Sequence, residues 1–339
     1  MGLDTSYYRK RRNPLLVVLS VGCIFMSVPS LHCVEKVISD KGSFYTLLSN
    51  DYQFTSSTSL TISPSTPVPS PATPTTADDI LITPPAPQYD TNKLAFMVET
   101  RPLPHLPAQY LHMSTLIPPE WPLLFMGSPE SLSHMRASPP ITNLEKSGRL
   151  RFLPIPPQYS LRDRETISQM FTDEHLYADI LAPAEHLLIF QPDAIFCANS
   201  DQSLNDYLEW DWVGAPWSLT STYGGNGGLS VRRISRILRA IREKGPRQHG
   251  DGALEDLWLT SKMREFEDWH MPNVTVSKRF SVESVWDDRP LGYHIGWLGV
   301  HHEQIWTEEW QIRHILEYCP EVKLVLGMKL VADKPEGVP

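Results

Sequence analysis

Leu187-Leu-Ile-Phe-Gln-Pro-Asp-Ala-Ile-Phe-Cys197 is the stretch on which the reading of the chain turns. Leu187 to Phe190 is an unbroken apolar run, short and closed by Gln191-Pro192, and it predicts a fully buried strand. One carboxylate, Asp193, follows the break at once. In open α/β sheets, ligands bind just outside the carboxyl ends of the strands. Asp193 therefore has two readings. It caps a turn after a core strand, or it stands where a metal–phosphate group is held.

Runs of the same kind precede it. Leu94-Ala-Phe-Met-Val98 predicts a strand ending at Glu99, Thr100 and Arg101, and Pro122-Leu-Leu-Phe-Met126 predicts a second, ended by Gly127-Ser-Pro129. Arg149-Leu-Arg-Phe-Leu153 predicts a third, stopped by Pro154, Pro156 and Pro157. Residues 106–117, 131–137 and 161–181 leave room for helices between them. Short apolar strands alternating with helices imply an α/β fold with a mainly parallel central sheet covered on both faces. Further on, Ile234, Ile237, Leu238 and Ile241 recur at helical spacing before Gly245-Pro246 ends the helix. Leu254, Leu257 and Trp258 predict the buried stripe of another helix, and Val274 to Val282 reads as a strand.

The chain has 339 residues, 41% of them hydrophobic, enough for one large α/β domain or two small ones with tails. A net charge of −9 offers no basic face, which excludes a general nucleic-acid binder. Arg9-Lys-Arg-Arg12 precedes an apolar run from Leu15 to Val28, the pattern of a signal peptide or a signal anchor. The expectation is a type II anchor with its basic end in the cytosol. Thr55 to Thr76 is a tract in which 18 of 22 residues are Ser, Thr or Pro, too poor in apolar surface to fold. The expected order is a basic cytosolic tail (1–14), a signal anchor (15–34), a disordered stalk (35–92), a folded catalytic domain (93–320) and a C-terminal tail (321–339). That is the layout of a single-pass enzyme of the Golgi or another secretory membrane, its domain luminal; secretion is the alternative. Cys197 and Cys319 lack metal-ligand spacing and are either a disulfide or two buried thiols. The sequon Asn273-Val-Thr275 agrees with a luminal domain.

Three constellations carry chemistry. In Tyr223-Gly-Gly-Asn-Gly-Gly228 the glycines allow close approach of backbone to a ligand, and Asn226 either bonds a sugar hydroxyl or locks the turn. It lacks the spacing of a dinucleotide fingerprint and the Lys-Ser/Thr of a P-loop. Glu255-Asp256 offers a carboxylate that can act as general base, or an exposed acidic pair. Pro290-Leu-Gly-Tyr-His294 places one imidazole among glycines and aromatics; it is a metal ligand beside Asp193 or a hydrogen-bonded core histidine. His301-His302 is a second candidate without an obvious acid partner. Trp212, Trp217, Tyr223 and Trp258 either stack on sugars or fill the core.

Seven segments occur together in order: Val98-Glu-Thr-Arg-Pro-Leu-Pro104, Trp121-Pro122, Leu188-Ile-Phe-Gln-Pro-Asp193 with Cys197, Asp211-Trp-Val-Gly-Ala-Pro-Trp217, Asn226-Gly-Gly-Leu-Ser230 with Arg232, Glu255-Asp256 with Trp258, and Pro290-Leu-Gly-Tyr-His294. In this the chain resembles the fungal glycosyltransferase-like family catalogued as a domain of unknown function, with a GT-A-type nucleotide-sugar transferase fold. The resemblance implies transfer of a sugar from a nucleotide-sugar donor to a glycan or glycoprotein acceptor. It implies that Asp193 and His294 hold Mn²⁺ or Mg²⁺ and the diphosphate. Gln191 stands where the first acid of an Asp-x-Asp motif is expected. Glu99, Arg101 and Gln191 would lie beside the nucleotide, with Asn226, Gly227, Gly228 and Trp217 on the acceptor side. Asp256 or Glu255 would be the base of an inverting transfer.

Overall fold

The computed structural model describes residues 89–296 and 305–326. The expected cytosolic tail, the anchor, all but the last four residues of the stalk, and His301-His302 lie outside them. Among the described residues no helix is long and apolar enough to cross a membrane.

The first half alternates as expected: β1 (Lys93–Glu99), α1 (Leu106–Leu116), β2 (Leu123–Gly127), α2 (Pro129–Arg136), α3 (Pro139–Lys146), β3 (Leu150–Pro154), α4 (Arg164–Met170) and β4 (His186–Phe190). Local chemistry sets the helix starts. Pro139 opens α3, the Ser128 side chain accepts from Ser131 N–H at the start of α2, and Asp163 forms a capping box with Thr166 at α4. The second half adds β5 (Ala194–Phe196), β6 (Trp212–Gly214), β7 (Leu229–Arg233), α5 (Ile234–Lys244), α6 (Glu255–Met263), α7 (Val274–Phe280), β8 (Ser281–Val282), β9 (Gly292–His294), α8 (Glu309–Tyr318) and α9 (Lys323–Leu326).

Six strands form the central sheet in the order β3-β2-β1-β4-β7-β6. β3, β2, β1 and β4 pair in parallel, and β7 runs against both β4 and β6. Successive side chains of a strand point to opposite faces, and here both faces are buried. Leu94, Phe96, Leu187 and Ile189 enter one core with residues of α5 and α6, while Ala95, Met97, Leu188 and Phe190 enter the other with residues of α1 and α8. That is why the strands read as unbroken apolar runs. A second sheet, β5-β9-β8, branches off directly after Asp193.

Several expectations change. Val274 to Val282 is not a strand: α7 occupies it through Phe280, followed by the two-residue β8. The Asn273 side chain accepts from Val276 N–H, a cap worth about 1 kcal/mol. With burial of Phe280 it offsets the weak helix preference of Val274, Thr275 and Val276. The folded unit also runs past the expected boundary at residue 320, because Val322 and Val325 are buried in the core. Cys197 and Cys319, left open by the sequence, form a disulfide with Cα atoms 4.9 Å apart.

Candidate active site

β1 and β4 are parallel, so their carboxyl ends meet at one edge of the sheet. β7 is antiparallel, so its start lies there too. The Gln191 N–H donates to the Gly228 carbonyl at 2.8 Å and joins the end of β4 to the start of β7. A cleft of about 620 Å³ opens over this edge. Its lining brings together Glu99, Arg101, Gln191, Asp193, Asn226, Gly227, Gly228, Glu255, Asp256 and His294, every expected site residue except Trp217. A second hollow, of about 650 Å³, is lined by Gln169 of α4, Arg242 and Arg247 among others. Its charged groups already bind protein: Arg242 pairs with Glu174 at 2.8 Å and Arg247 with Glu165 at 2.7 Å.

The Asp193 loop is held from beneath by α1. His105, Gln109 and His112 share one face of that helix, four and three residues apart. The Gln109 amide donates to the carbonyls of Gln191 (2.9 Å) and Ala194 (2.6 Å), while His105 Nε2 lies 3.0 Å from Pro192 O and His112 Nε2 2.8 Å from Phe196 O. β9 pairs with β5 and sets His294 opposite Ala194. His294 Nε2 then lies 3.2 Å from Asp193 Oδ1, and Nδ1 lies 2.9 Å from Glu283 Oε1. Burial alone would lower the His294 pKa, but Asp193 and Glu283 outweigh it and push it up to about 10. Burial likewise opposes ionisation of Asp193, yet His294, and then Arg101, hold its carboxyl below the usual range.

His294 Nε2 is buried and has no aligned hydrogen-bond partner, despite the nearby carboxylate. A Cβ on Gly228 would stand 2.3 Å from Nε2 and 2.7 Å from Gln191 Oε1, so the bare glycine leaves a notch between them. The 3.2 Å between Nε2 and Asp193 Oδ1 suits two adjacent ligands of one cation with bonds of about 2.1–2.2 Å. Glu283 on Nδ1 fixes the ring with Nε2 towards the notch, the usual support of a metal-binding histidine. These donors fit a divalent cation that displaces the Nε2 proton of His294 as it binds, and the imidazole favours Mn²⁺ over Mg²⁺. Among the described residues no group of three or more His, Cys, Asp or Glu side chains converges to hold a metal. A cation here would rest on Asp193, His294 and the Gln191 amide, and would need ligand oxygens to complete its shell. Charge points the same way. The lining holds six carboxylates (Glu99, Asp163, Asp193, Glu255, Asp256 and Glu283) against Arg101, Arg162, Arg164 and His294.

Arg101 turns back on Glu99. Its backbone N–H and Nε reach Glu99 Oε1 at 2.7 and 3.0 Å, and Nη2 reaches Oε2 at 2.7 Å. Glu99 is buried and Arg101 half-exposed, so the pair presents a braced guanidinium to the cleft.

The Asn-Gly-Gly loop is committed to the protein. Asn226 Nδ2 donates to Glu283 Oε1 at 2.9 Å, and its Oδ1 accepts from Gly228 N–H at 2.6 Å. Asn226 therefore locks the turn and supports the His294 partner, while one N–H and one oxygen lone pair of its amide remain beyond these two bonds. Gly227 donates its N–H to Asp256 Oδ2 at 3.1 Å, and its carbonyl accepts from Arg232 Nη2 at 2.9 Å.

At the start of α6 the expected burial holds for Trp258 and is reversed for the two leucines. Leu254 and Leu257 are 42% and 41% exposed, whereas Glu255 and Asp256 are 9% exposed. At about 100° per residue, Leu254 and Leu257 share a face and the two acids take the other. The acids differ in their surroundings. Glu255 Oε1 pairs with Arg232 Nη2 at 3.2 Å, and that buried guanidinium lies 4.0 Å from the Trp212 ring centre. Asp256 has no such counter-ion. Burial, and then the Glu255 charge, push its pKa up to about 7, against the Leu257 N–H, the more distant Arg232 charge and the Gly227 N–H.

Trp217, expected on the acceptor side, is not part of the cleft lining. Its ring edge rests over Gly224 beside Thr260, where a Cβ on Gly224 would stand 2.7 Å from Cη2. Trp212, Tyr223 and Trp258 do not line the cleft either: Trp212 lies against Arg232, Tyr223 against Arg264, and Trp258 in the core. Glu283 and Gln109 escaped the sequence reading. Neither sits in a recognisable motif, and the one available signal was a glutamine in the buried phase of α1.

Among solved structures, the chain is similar to the mannosyltransferase PcManGT from Pyrobaculum calidifontis in complex with GDP-Man and Mn²⁺, with TM-score 0.40 and 11% identity over 75% of this chain and 78% of that one. It is similar to the galactosyltransferase LgtC in complex with donor and acceptor sugar analogs, with TM-score 0.39 and 14% identity over 73% and 97%. For core-mannan synthase A from Aspergillus fumigatus in its Mn/GDP form, TM-score is 0.30 at 11% identity over 39% of this chain and 44% of that one. The chain thus spans less than half the length of the last protein. No curated protein matches the sequence. Residues 149–294, which carry Asp193, the Asn-Gly-Gly loop, the Glu255–Asp256 pair and His294, match the family described as "Protein of unknown function (DUF5672)".

Proposed function

We propose that this domain is a metal-assisted glycosyltransferase that moves a sugar from a nucleotide-sugar donor to a hydroxyl of a glycan or glycoprotein. The observation that carries the reading is the notch at Gly228, where Asp193, His294 Nε2 and Gln191 meet at the carboxyl edge of the sheet. Mn²⁺ or Mg²⁺ held there would stabilise charge developing on the leaving diphosphate. Arg101, braced by Glu99, lies on the same lining and is placed to meet phosphate oxygens.

The acidic pair divides its labour. Glu255 pairs with Arg232 and, through that arginine, keeps the Gly227 carbonyl in place. Asp256, with its pKa near 7, is the group able to take a proton from an acceptor hydroxyl at neutral pH. Attack of that hydroxyl forms the new glycosidic bond as the bond to the diphosphate breaks. We place the domain in the lumen of the Golgi or another secretory compartment behind a type II anchor at 15–34 and a stalk at 35–92. The Cys197–Cys319 disulfide supports this, since such bonds persist in oxidising compartments.

A second reading, a sugar-nucleotide binder without turnover, is favoured by Gln191 and by the two backbone N–H groups that already occupy the Asp256 oxygens. Transfer and donor hydrolysis measured with Mn²⁺ across a panel of nucleotide sugars separate the two. The transferase reading expects turnover in wild type that is lost in Asp193→Ala and Asp256→Asn. Binding without turnover leaves the binder, and absence of binding ends both. Digestion of the domain in sealed microsomes without detergent would refute the luminal placement.

A further inference from the structure

α7 begins where the chain comes to the surface. Met271 and Pro272 are buried, Asn273 and Thr275 are exposed, and Ser277 and Phe280 turn back into the interior. Asn273-Val-Thr275 is the one Asn-x-Ser/Thr triplet in the sequence, and its middle residue is not proline. The Asn273 side chain uses one end of its amide. Oδ1 accepts from Val276 N–H at 3.2 Å and caps the helix, while Nδ2 has no protein partner among the described residues. The Asn273 backbone is extended, at φ −75° and ψ 171°, so the amide stands at the head of the helix and not within its ladder. Neither Asn273 nor Thr275 lines the cleft.

A second observation bears on the compartment. The Cys197–Cys319 disulfide joins residues 122 apart in sequence, and such bonds persist where thiols are oxidised, as in the lumen of the secretory pathway. An exposed Asn-x-Thr carried through that lumen meets the machinery that glycosylates it. We propose that Asn273 carries an N-linked glycan. In this step Nδ2 bonds to the anomeric carbon of an oligosaccharide supplied on a lipid diphosphate by a transferase of the secretory pathway. The bond from that carbon to the diphosphate oxygen breaks, the lipid diphosphate leaves, and Nδ2 gives up one of its two protons. The amide carbonyl is untouched, so Oδ1 goes on capping α7 beneath the glycan. The proposal rests on the luminal placement of the domain and is independent of the transferase reading.

The test is the mobility of the full chain, translated with sealed microsomes and run before and after treatment with peptide-N-glycosidase. Wild type and Thr275→Ser should give one slower band that the enzyme converts to the faster one. Asn273→Asp and Thr275→Ala should give the faster band alone. Both losses are free of a folding defect at α7: aspartate keeps an oxygen for the cap, and Thr275→Ala leaves the Asn273 cap in place. The enzyme leaves aspartate where it removes a glycan, so treated wild type and Asn273→Asp should also melt together. Protease added to the same microsomes separates the proposal from the placement it rests on. A protected domain without a mobility shift overturns the glycan and leaves the luminal placement standing, whereas a digested domain overturns both. An enzyme-sensitive shift that survives Asn273→Asp overturns the assignment to this residue.

Discussion

Replacing Gly228 with alanine tests the notch with a single methyl group. Gly228 is not among the glycines of positive φ, so alanine meets no backbone strain there and the effect is steric. The new Cβ would stand 2.3 Å from His294 Nε2, 2.6 Å from its Cε1 and 2.7 Å from Gln191 Oε1. Ordinary contacts are about 3.5–4.0 Å, so both side chains must move by about 1 Å. His294 yields poorly, being buried and held by Glu283 at 2.9 Å. Overpacking of this kind costs about 1–3 kcal/mol. In a domain of this size each kcal/mol shifts Tm by about 2–4 °C, so the ligand-free variant should melt about 2–12 °C below wild type. The second readout is sharper. A cation at 100 times its Kd stabilises wild type by about 2.7 kcal/mol, or roughly 5–11 °C. Gly228→Ala should lose that gain, because the methyl fills the space between Gln191 and His294. Gly252→Ala, where a Cβ meets nothing within 4 Å, is the control and should melt at or slightly above wild type. Differential scanning fluorimetry with and without Mn²⁺ reads both effects. A Gly228→Ala protein that melts like wild type and keeps its Mn²⁺ shift refutes the reasoning.

The acid limb of kcat/KM should report Asp256 with an apparent pKa near 7 rather than near 4, since the base must be ionised to act. Glu255→Gln removes a neighbouring negative charge and should move that limb to lower pH; a limb near 4 in wild type contradicts the assignment. Arg232→Met leaves Glu255 buried without its counter-charge and should cost about 3–5 kcal/mol in urea unfolding. Adding Glu255→Gln should recover part of the loss, and no recovery means that the pair is not coupled. Cys319→Ser opens a disulfide spanning 122 residues and should cost about 2–5 kcal/mol. Reducing wild type with dithiothreitol should bring its melt to the level of the variant, and an unmoved melt contradicts the bond.

The parallel half of the sheet was legible because burial on both faces leaves an apolar run between turn residues, as in Leu187–Phe190 and Leu94–Val98. β7 was not. Leu229-Ser-Val-Arg-Arg233 carries polar residues, and its fully buried Arg232 is tolerated only because Glu255, Gly227 and the Trp212 ring surround it. Such partners come from distant parts of the chain, and spacing does not reveal them. The first turn of α6 misled for a related reason. Leu254 and Leu257 fit a buried stripe as well as any leucines, and it is the cleft that turns the acids inward. Asn226 was legible as a residue with two possible roles, and its bonds to Glu283 and Gly228 show the turn-locking one. Asp193 and His294 were legible as candidates, but their 3.2 Å approach depends on β5 pairing with β9 across about a hundred residues. No local pattern announces that pairing.

The account rests on Asp193 and His294 acting together on a metal-bound nucleotide, and nucleotide-dependent thermal stabilisation tests it most directly. Wild type, Asp193→Ala and His294→Ala would be melted with GDP- and UDP-sugars, each with and without Mn²⁺. The account predicts that at least one nucleotide raises the wild-type Tm only when Mn²⁺ is present, and that either substitution abolishes the rise while both variants still unfold cooperatively. A wild type unmoved by every nucleotide, or a rise of equal size in the folded variants, would contradict it.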